Sequence, residues 1–343
     1  MSLSLGSAIR AYNLFAASVC AHVLQYGPPT KKLLEAERGA LASICSAPAG
    51  AMPTSFVCRL RAFGLPYEAV SLEHMSRATR FRVAHTSTIL HSALELFRQA
   101  RDSDEAMLVH RHSSWMNRSI TMTLAKALSN QDNCPLDLSM PKHIQKRAYK
   151  HYIDLTWPDG PYKVFGKRMI KWDIRPPIVD DIAKKFKAAT RRLPASTCIA
   201  FLRSCCNAWL TAKRFGQAAA PCSFGCGAPQ GDAIAHLLVC PVVRETALGQ
   251  FCRHMASWPV NPSLPEAFGV ALQEDSFDTC LLWHDLLFQA HNVKRRGGAG
   301  SLAQLVATRL RALRRQHSAV AALADRVAAT FTEPAGAADA EWS

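Results

Sequence analysis

Four cysteine and histidine residues, spaced as metal ligands are, constrain this chain more than any other feature of its sequence. They form two close pairs separated by nine residues, and they are Cys222, Cys226, His236 and Cys240. Three thiolates and one imidazole satisfy the tetrahedral coordination of a structural zinc ion. Because the protein would fill all four positions, the spacing predicts a structural zinc site rather than a catalytic one.

The residues around these ligands favour the same interpretation. The second cysteine lies between Gly225 and Gly227, and glycine permits the left-handed backbone that a metal-binding turn needs. The histidine and the last cysteine are four residues apart, so a helix would place both on one face, and Asp232 can cap that helix. The alternative is that these thiols are reduced core residues beside the apolar run 237–239.

The distribution of charge indicates a polyanionic partner. The 343 residues carry a formal net charge of +15, and apolar residues make up 49%, enough to build a packed core. Residues 142–192 have a net charge of +9 and residues 294–317 of +7, so two segments carry all of the excess. This balance favours a polyanion or an acidic surface over a small acidic metabolite. No apolar run reaches the roughly 18 residues that span a bilayer, and we expect no membrane partner.

The twelve cysteines would form disulfides only in a secreted protein. The N-terminal apolar stretch is interrupted by polar residues and lacks a clean signal-peptide cleavage site. It fits better as an amphipathic helix over 7–26 whose apolar face comprises Ile9, Tyr12, Ala16, Val19, Val23 and Tyr26. We therefore expect reduced thiols and a location in the nucleus or cytoplasm.

Helical periodicity dominates the chain, and strict period-two alternation is almost absent. The predicted fold is mostly α: one or more irregular helical bundles with a small zinc-knuckle insertion. The predicted organisation is a helical domain over 1–128, a linker over 129–141, a basic segment over 142–194, a helical domain over 195–332 that contains the knuckle at 222–240, and a disordered tail over 333–343.

Cations and aromatic residues interleave in the basic segment, as they do in proteins that bind phosphates and stack unpaired bases. A smaller set of the same kind precedes the knuckle, an aromatic residue lies inside the metal turn, and a basic triplet opens a glycine-rich hinge. The predicted nucleic-acid contacts are Lys163, Lys167, Arg168, Lys171, Arg203, Lys213, Arg214, Phe224, Lys294, Arg295 and Arg296. The alternative is that the aromatic residues belong to the core and the cations to a solvated rim.

The segment 198–241 resembles the C-terminal region of reverse transcriptases encoded by non-LTR (LINE-type) retrotransposons; it reads CIAFLRSCCNAWLTAKRFGQAAAPCSFGCGAPQGDAIAHLLVCP. Those proteins carry a Cys-Cys-His-Cys knuckle after the thumb, with an acidic residue shortly before the histidine, and Asp232 holds that place here. Residues 8–83 look like the thumb helices of the family, which would make the domain over 1–128 thumb-like. The resemblance implies RNA or DNA as partners, and an upstream polymerase domain.

The catalytic motif of such polymerases is missing from the sequence. A reverse transcriptase palm holds its metal ions with an aromatic-x-Asp-Asp turn, whereas the one Asp-Asp pair here, Asp180-Asp181, follows Pro-Pro-Ile-Val. We interpret the pair as the acidic first turn of a helix. Pro158-Asp159 resembles part of a nuclease motif, but an arginine, Arg175, stands where that motif has lysine. We therefore expect a chain without its own polymerase centre, either the end of a larger polyprotein or a decayed copy.

Two other classes of function stay open at this point. The first is a non-catalytic protein-interaction scaffold in which the knuckle only staples helices together. The second is an independent enzyme built on histidine pairs, either His110 with His112 or His284 with Asp285, although no glycine-flanked nucleophile accompanies them.

Overall fold

The computed structural model describes residues 5–48, 50–85, 141–245, 262–316 and 321. Within these ranges the chain is mostly helical and has no strand, which confirms the predicted fold class. None of the helices described there has the length and apolar character needed to cross a bilayer. Residues 129–140 of the predicted linker, the stretch 322–332 and the predicted tail over 333–343 lie outside the described residues, as do His110 and His112.

The helices form two compact units. Among the described residues, the knuckle unit comprises 5–10, 38–48, 50–69, 159–245, 262–316 and 321, and the smaller unit comprises 11–37, 70–85 and 141–158. In chain order the helices are α1 (Leu5–Ala11), a π-helical turn (Tyr12–Ala17), α2 (Ser18–Leu24), α3 (Lys31–Ile44), α4 (Thr54–Val57), α5 (Leu72–His85), α6 (Pro141–Thr156), α7 (Pro161–Met169), α8 (Pro176–Ala189), α9 (Ala195–Cys205), α10 (Ile234–Leu237), α11 (Pro241–Glu245), α12 (Leu264–Ala267), α13 (Glu274–Arg295) and α14 (Leu302–Gln316), with 3₁₀ turns at Leu60–Phe63, Ile170–Trp172 and Lys213–Phe215.

Helix α13 is the centre of the knuckle unit. Residues 279–288 of this helix are all buried, because α9 packs along it and α8 and α14 also contact it. On α9, the ring of Phe201 lies 5.6 Å from those of both Phe186 and Phe277, measured between centroids. Full burial of an aromatic side chain of this size contributes about 1.5–3 kcal/mol, so this cluster is a principal source of stability.

Residues 38–69 join the knuckle unit through Phe63. The Phe63 ring centroid lies 5.0 Å from that of Tyr162, 5.7 Å from that of Phe165 and 6.2 Å from that of Phe186. The Tyr162 hydroxyl also donates a hydrogen bond of 2.6 Å to the carbonyl of a residue 100 positions earlier. Helical periodicity reports only local order, so contacts over such a separation were not visible in the sequence.

The unit boundaries consequently differ from the predicted domains. The N-terminal helices are shared between the two units, and the basic segment 142–194 is divided between them after residue 158. In the smaller unit α5 packs against α2 and α6. There the buried Glu37 carboxylate accepts hydrogen bonds from the Tyr12 hydroxyl (3.1 Å) and from the Leu72 amide (2.7 Å).

The predicted apolar face of the first helix is observed only in part. Its first two members are buried, and its other four are exposed. The change from buried to exposed members falls within the π-helical turn Tyr12–Ala17. Each hydrogen bond of a π-helical turn spans one more residue than in an α-helix, so the side chains after the turn are shifted by one position around the helix. The buried face therefore continues through Ala17 and Leu24.

Candidate metal centre

The four predicted ligands lie together in the knuckle unit. The sulfur and nitrogen atoms that Cys222, Cys226, His236 and Cys240 can offer all lie within 4.8 Å of one another. The Sγ atoms of Cys222 and Cys240 are 3.7 Å apart, and Cys226 Sγ is 3.2 Å from His236 Nε2. With zinc–sulfur bonds of ~2.3 Å, two sulfurs of a tetrahedral site lie roughly 3.8 Å apart. The cluster can therefore hold one metal ion.

A tight turn presents the first two thiols of the metal loop, residues 222–240. The Gly225 amide donates to the Cys222 carbonyl (3.0 Å), and the Cys222 amide donates to the Ala228 carbonyl (3.1 Å). Both glycines predicted to allow the turn, Gly225 and Gly227, have a φ of +81°, in the left-handed region. The Phe224 amide lies 3.4 Å from Cys222 Sγ. Amide hydrogen bonds to sulfur orient a thiolate and stabilise its charge.

Gly231 is essential to this turn, and sequence reasoning missed it. A Cβ atom at this position would lie 2.5 Å from Cys222 Cβ and 3.0 Å from the Ala228 carbonyl oxygen. No side chain fits there unless the backbone that carries the first ligand moves. The turn-forming run 229–231, Pro-Gln-Gly, is the sequence signal that could have pointed to it.

The predicted helix that joins His236 and Cys240 is shorter than expected. Helix α10 ends at Leu237, and the Val239 amide closes a tighter turn on the His236 carbonyl at 3.0 Å. The chain cannot continue as the same helix because Pro241 has no amide hydrogen to donate. Cys240 therefore lies between two short helices, and the turn rather than a shared helical face brings it to the histidine.

Burial and hydrogen bonds separate the pKa values of the four ligands. Burial raises the pKa of Cys240 to about 12, although amide groups at the start of α11 oppose the shift, and burial also raises the pKa of Cys222. At Cys226 burial is outweighed by hydrogen bonds from the Ala228 amide and from the neighbouring thiols, so its pKa is lowered. Burial lowers the pKa of His236, which leaves the imidazole neutral at pH 7 and able to donate a lone pair.

Asp232 connects the metal loop to α13 instead of capping α10. One carboxylate oxygen accepts the Ala212 amide at 2.6 Å, and the other lies 3.2 Å from His291 Nε2. The cap position of α10 is Ala233, which makes no side-chain hydrogen bond. Burial raises the pKa of Asp232, but the bonds from His291 and Ala212 and the charge of Arg295 outweigh burial and lower it.

Two of the predicted basic sets meet beside the metal loop. Lys213 and Arg214 lie in a 3₁₀ turn whose last residue is Phe215, and the triplet from Lys294 lies at the end of α13. The Arg295 guanidinium carbon is 5.6 Å from the centroid of the Phe215 ring, and Phe215, which was not among the predicted contacts, is 45% exposed. We name this surface the cationic face; it comprises Lys213, Arg214, Phe215, Lys294, Arg295 and Arg296.

Two predicted nucleic-acid contacts are instead part of the core. Arg203 is 8% exposed, its Nε donates to the Cys45 carbonyl at 2.7 Å, and its guanidinium carbon lies 4.7 Å from the Phe288 ring centroid. Phe224 is also 8% exposed, inside the metal loop. Both side chains are packed inside the protein, which argues against the predicted contacts with a phosphate or a base.

The remaining predicted contacts form a separate group at α7. The ammonium groups of Lys163 and Lys167 each lie 2.6 Å from a carboxylate oxygen of Asp159, and they lower the pKa of that exposed carboxyl to about 2. Arg168 donates to the Gly50 carbonyl at 3.5 Å, and Lys171 is exposed. Asp159 therefore neutralises part of the charge that the sequence suggested for phosphate binding.

Of the groups considered for catalysis, those that lie in the described part of the chain do not assemble into a site. Asp180 and Asp181 are exposed in the second turn of α8, one turn later than predicted, and Asp181 pairs with Lys185. His284 and Asp285 are both buried, but each has its own partners. His284 contacts Ser204 Oγ (2.8 Å) and the Ala267 carbonyl (3.0 Å), whereas Asp285 accepts from Thr197 and from Arg309, each at 2.9 Å.

Comparisons with family models, with curated proteins and with solved structures found no match. The resemblance to LINE-type reverse transcriptases therefore stays a hypothesis, which depends on the ligand spacing and the residues around it. The site itself is described by its own geometry: four ligands in reach of one ion, beside a surface of five cations and one exposed aromatic ring.

Proposed function

We propose that this chain is a zinc-stabilised nucleic-acid-binding module that acts as the C-terminal part of a retrotransposon reverse transcriptase. In this proposal it grips template RNA or target DNA, in the nucleus or the cytoplasm, for an upstream polymerase domain. It has no polymerase centre of its own. The family assignment rests on the resemblance of residues 198–241, and the binding function also draws support from the cationic face.

Zinc is the metal that the ligand set favours. Thiolates and imidazole suit zinc, whereas magnesium and calcium prefer oxygen ligands. The spacing of 3.7 Å between two of the sulfurs is close to the edge of a zinc–sulfur tetrahedron. When bound to Cys222, Cys226, His236 and Cys240, zinc would hold the metal loop in its folded form, and no ligand position would remain for a substrate.

The observation that carries the binding function is the composition of the cationic face. Arg295 lies at one exposed aromatic ring, the other four cations are its neighbours or those of Phe215 along the chain, and the segments that supply them, residues 213–231 and 286–316, contain no aspartate or glutamate. The two acids that border these segments are engaged elsewhere, Asp232 by His291 and Ala212 and Asp285 by Thr197 and Arg309. Lysine and arginine without competing carboxylates bind backbone phosphates and release counterions.

Salt dependence tests this function. We would measure binding of labelled RNA and DNA oligonucleotides to the zinc-loaded full chain by fluorescence anisotropy. If several phosphates are neutralised, the logarithm of the affinity falls linearly with the logarithm of the salt concentration, by orders of magnitude between about 50 and 200 mM. A protein that holds zinc and folds but binds neither nucleic acid at the lowest salt would contradict the proposal.

The second candidate function is a non-catalytic protein-interaction scaffold with a structural zinc staple. It is favoured by the contact of Asp232 with His291, which ties the metal loop to the central helix as a structural staple would. A scaffold of this kind would lose stability when zinc is removed and would show no salt-dependent binding of RNA or DNA. The anisotropy measurement therefore separates the two candidates.

A further inference from the structure

Phe215 is unusual among the phenylalanines of this chain. Those whose exposure the structure describes are buried, apart from Phe15 at 73% and Phe215 at 45%. An isolated exposed apolar side chain is ordinary on a protein surface. What distinguishes Phe215 is its surroundings, because the other five residues of the cationic face are lysines and arginines.

The backbone holds this ring in a defined position. The Phe215 amide donates to the Ala212 carbonyl at 3.1 Å, and Gly216 follows with a φ of +62°, which ends the turn. The Ala212 amide is in turn bound by Asp232, so the turn is anchored to the metal loop. A ring on an anchored turn loses little further conformational entropy when it makes a contact.

Arg295 approaches the same ring from α13. Its guanidinium carbon lies within the 6 Å or so at which a cation and an aromatic face attract each other, at 5.6 Å from the centroid. The pair leaves ring surface in contact with water and places a permanent positive charge beside it. A flat apolar surface beside a cation is what an unpaired base and its phosphate require.

We infer that Phe215 and Arg295 form a stacking platform for an unpaired base, so that the cationic face takes single-stranded rather than duplex nucleic acid. This inference rests on the proposed nucleic-acid-binding function and names its substrate class. In a duplex the base faces are stacked on one another and present only their edges, so Phe215 would gain no contact. The residues that follow, Gly216, Gln217 and three alanines, are too small to add a wide apolar surface for a protein partner.

The test compares Phe215→Ala and Phe215→Leu in the zinc-loaded full chain. The ligands are a single-stranded oligonucleotide of about 12 thymidines and a duplex hairpin with a similar number of phosphates, and both are titrated at two salt concentrations. Either substitution should weaken single-strand binding about 5- to 150-fold, because leucine keeps the apolar bulk but not the flat ring. Duplex binding and the salt slope should not change, and Phe215→Trp should retain the affinity.

Phe15→Ala is the matched control, since Phe15 is a more exposed phenylalanine in a stretch, 11–30, without lysine or arginine. A single strand that contains 5-bromouracil should also crosslink to Phe215, as identified by mass spectrometry. Salt-dependent binding that is equal for Phe215→Leu and the unchanged chain would overturn the platform and leave the proposed function intact. Absence of salt-dependent binding to both ligands would overturn the proposed function and the platform with it.

Discussion

Asp232 Oδ1 and His291 Nε2 lie 3.2 Å apart and join the metal loop to α13 across 59 positions of sequence. The His291 side chain is 1% exposed and that of Asp232 is 15% exposed, so the contact is largely shielded from water. The same helix carries Arg295 one turn later, over the ring of Phe215. The metal loop and the cationic face therefore share one anchor.

Asp232→Asn should weaken this anchor. The side-chain oxygen of asparagine can still accept a hydrogen bond from the Ala212 amide. The position that faces His291 Nε2 would then hold an NH₂ group, or an uncharged oxygen, in place of a charged carboxylate oxygen. We expect the free energy of unfolding to fall by about 1–3 kcal/mol, which is typical when a buried hydrogen bond to a charged group is lost. Urea titration measures this change. The control is Asp173→Asn, because Asp173 is exposed and its φ of +60° is one that asparagine tolerates. Equal stability of the two variants would show that the Asp232 contact contributes nothing.

The cluster of four ligands predicts the metal content of the protein. The purified chain should carry about one zinc ion, measured by elemental analysis after preparation without chelators. Cys226→Ser should lose the ion and lower the melting temperature, because metal binding and folding of the loop are coupled. Cys20→Ser is the matched control, since both thiols are partly exposed but Cys20 lies outside the cluster. A chain that contains no metal and takes up none on titration would refute the site.

Gly231→Ala tests the close approach within the metal loop. The added methyl group would meet Cys222 Cβ at 2.5 Å, so the backbone of the first ligand must shift. We expect weaker zinc binding in a competition with a chromophoric chelator, together with lower thermal stability. Gly39→Ala provides the contrast: a Cβ there meets nothing within 4 Å, and alanine in a helix should stabilise the protein by about 0.5–1 kcal/mol.

Some features of the fold and of the metal site could be predicted from the sequence and others could not, for physical reasons. Cys222 and its partner ligands were predictable because a metal loop depends on spacing, and the helical content was predictable because periodicity is local. The burial of Arg203 and Phe224 was not predicted because burial depends on what packs against a residue, which for Arg203 includes a carbonyl 158 residues away. The pairing of Phe215 with Arg295 joins segments 80 residues apart, which no local pattern reports, whereas the close approach of Gly231 to Cys222 is local and its turn-forming run was overlooked.

His284 gives the protein a pH-dependent stability. Burial lowers its pKa from 6.5 to about 3, while the Ala267 carbonyl opposes the shift. The unfolded chain therefore binds a proton that the folded chain does not, so this contribution is complete above pH 6.5 and is lost as the pH falls toward 3. Between pH 7 and pH 5 the loss should be about 2 kcal/mol.

The measurement is the unfolding free energy at both pH values for the unchanged chain and for His284→Gln. Protonation of the metal ligands is common to both, so the difference between them isolates His284. We expect this difference to shrink on acidification. The matched control is His22→Gln, the same replacement at an exposed histidine. A difference that stays constant would mean that the buried imidazole is already protonated or is absent from the folded core.

The salt dependence of nucleic-acid binding should distinguish the two groups of predicted cations. Lys213 and Arg214 have no carboxylate beside them in their turn, whereas Lys163 and Lys167 both contact Asp159 at 2.6 Å. A lysine that binds phosphate must give up its carboxylate partner, and the free energy lost with that ion pair cancels much of the free energy gained from the phosphate.

Replacing Lys213 and Arg214 together by glutamine should therefore reduce the slope of log affinity against log salt by about 1.4 for a single strand, at roughly 0.7 per phosphate contact. The matched double replacement of Lys163 and Lys167 removes the same two charges and should leave the slope nearly unchanged. If the second pair reduces the slope as much as the first, phosphate is bound along α7, and the cationic face is not the main binding surface.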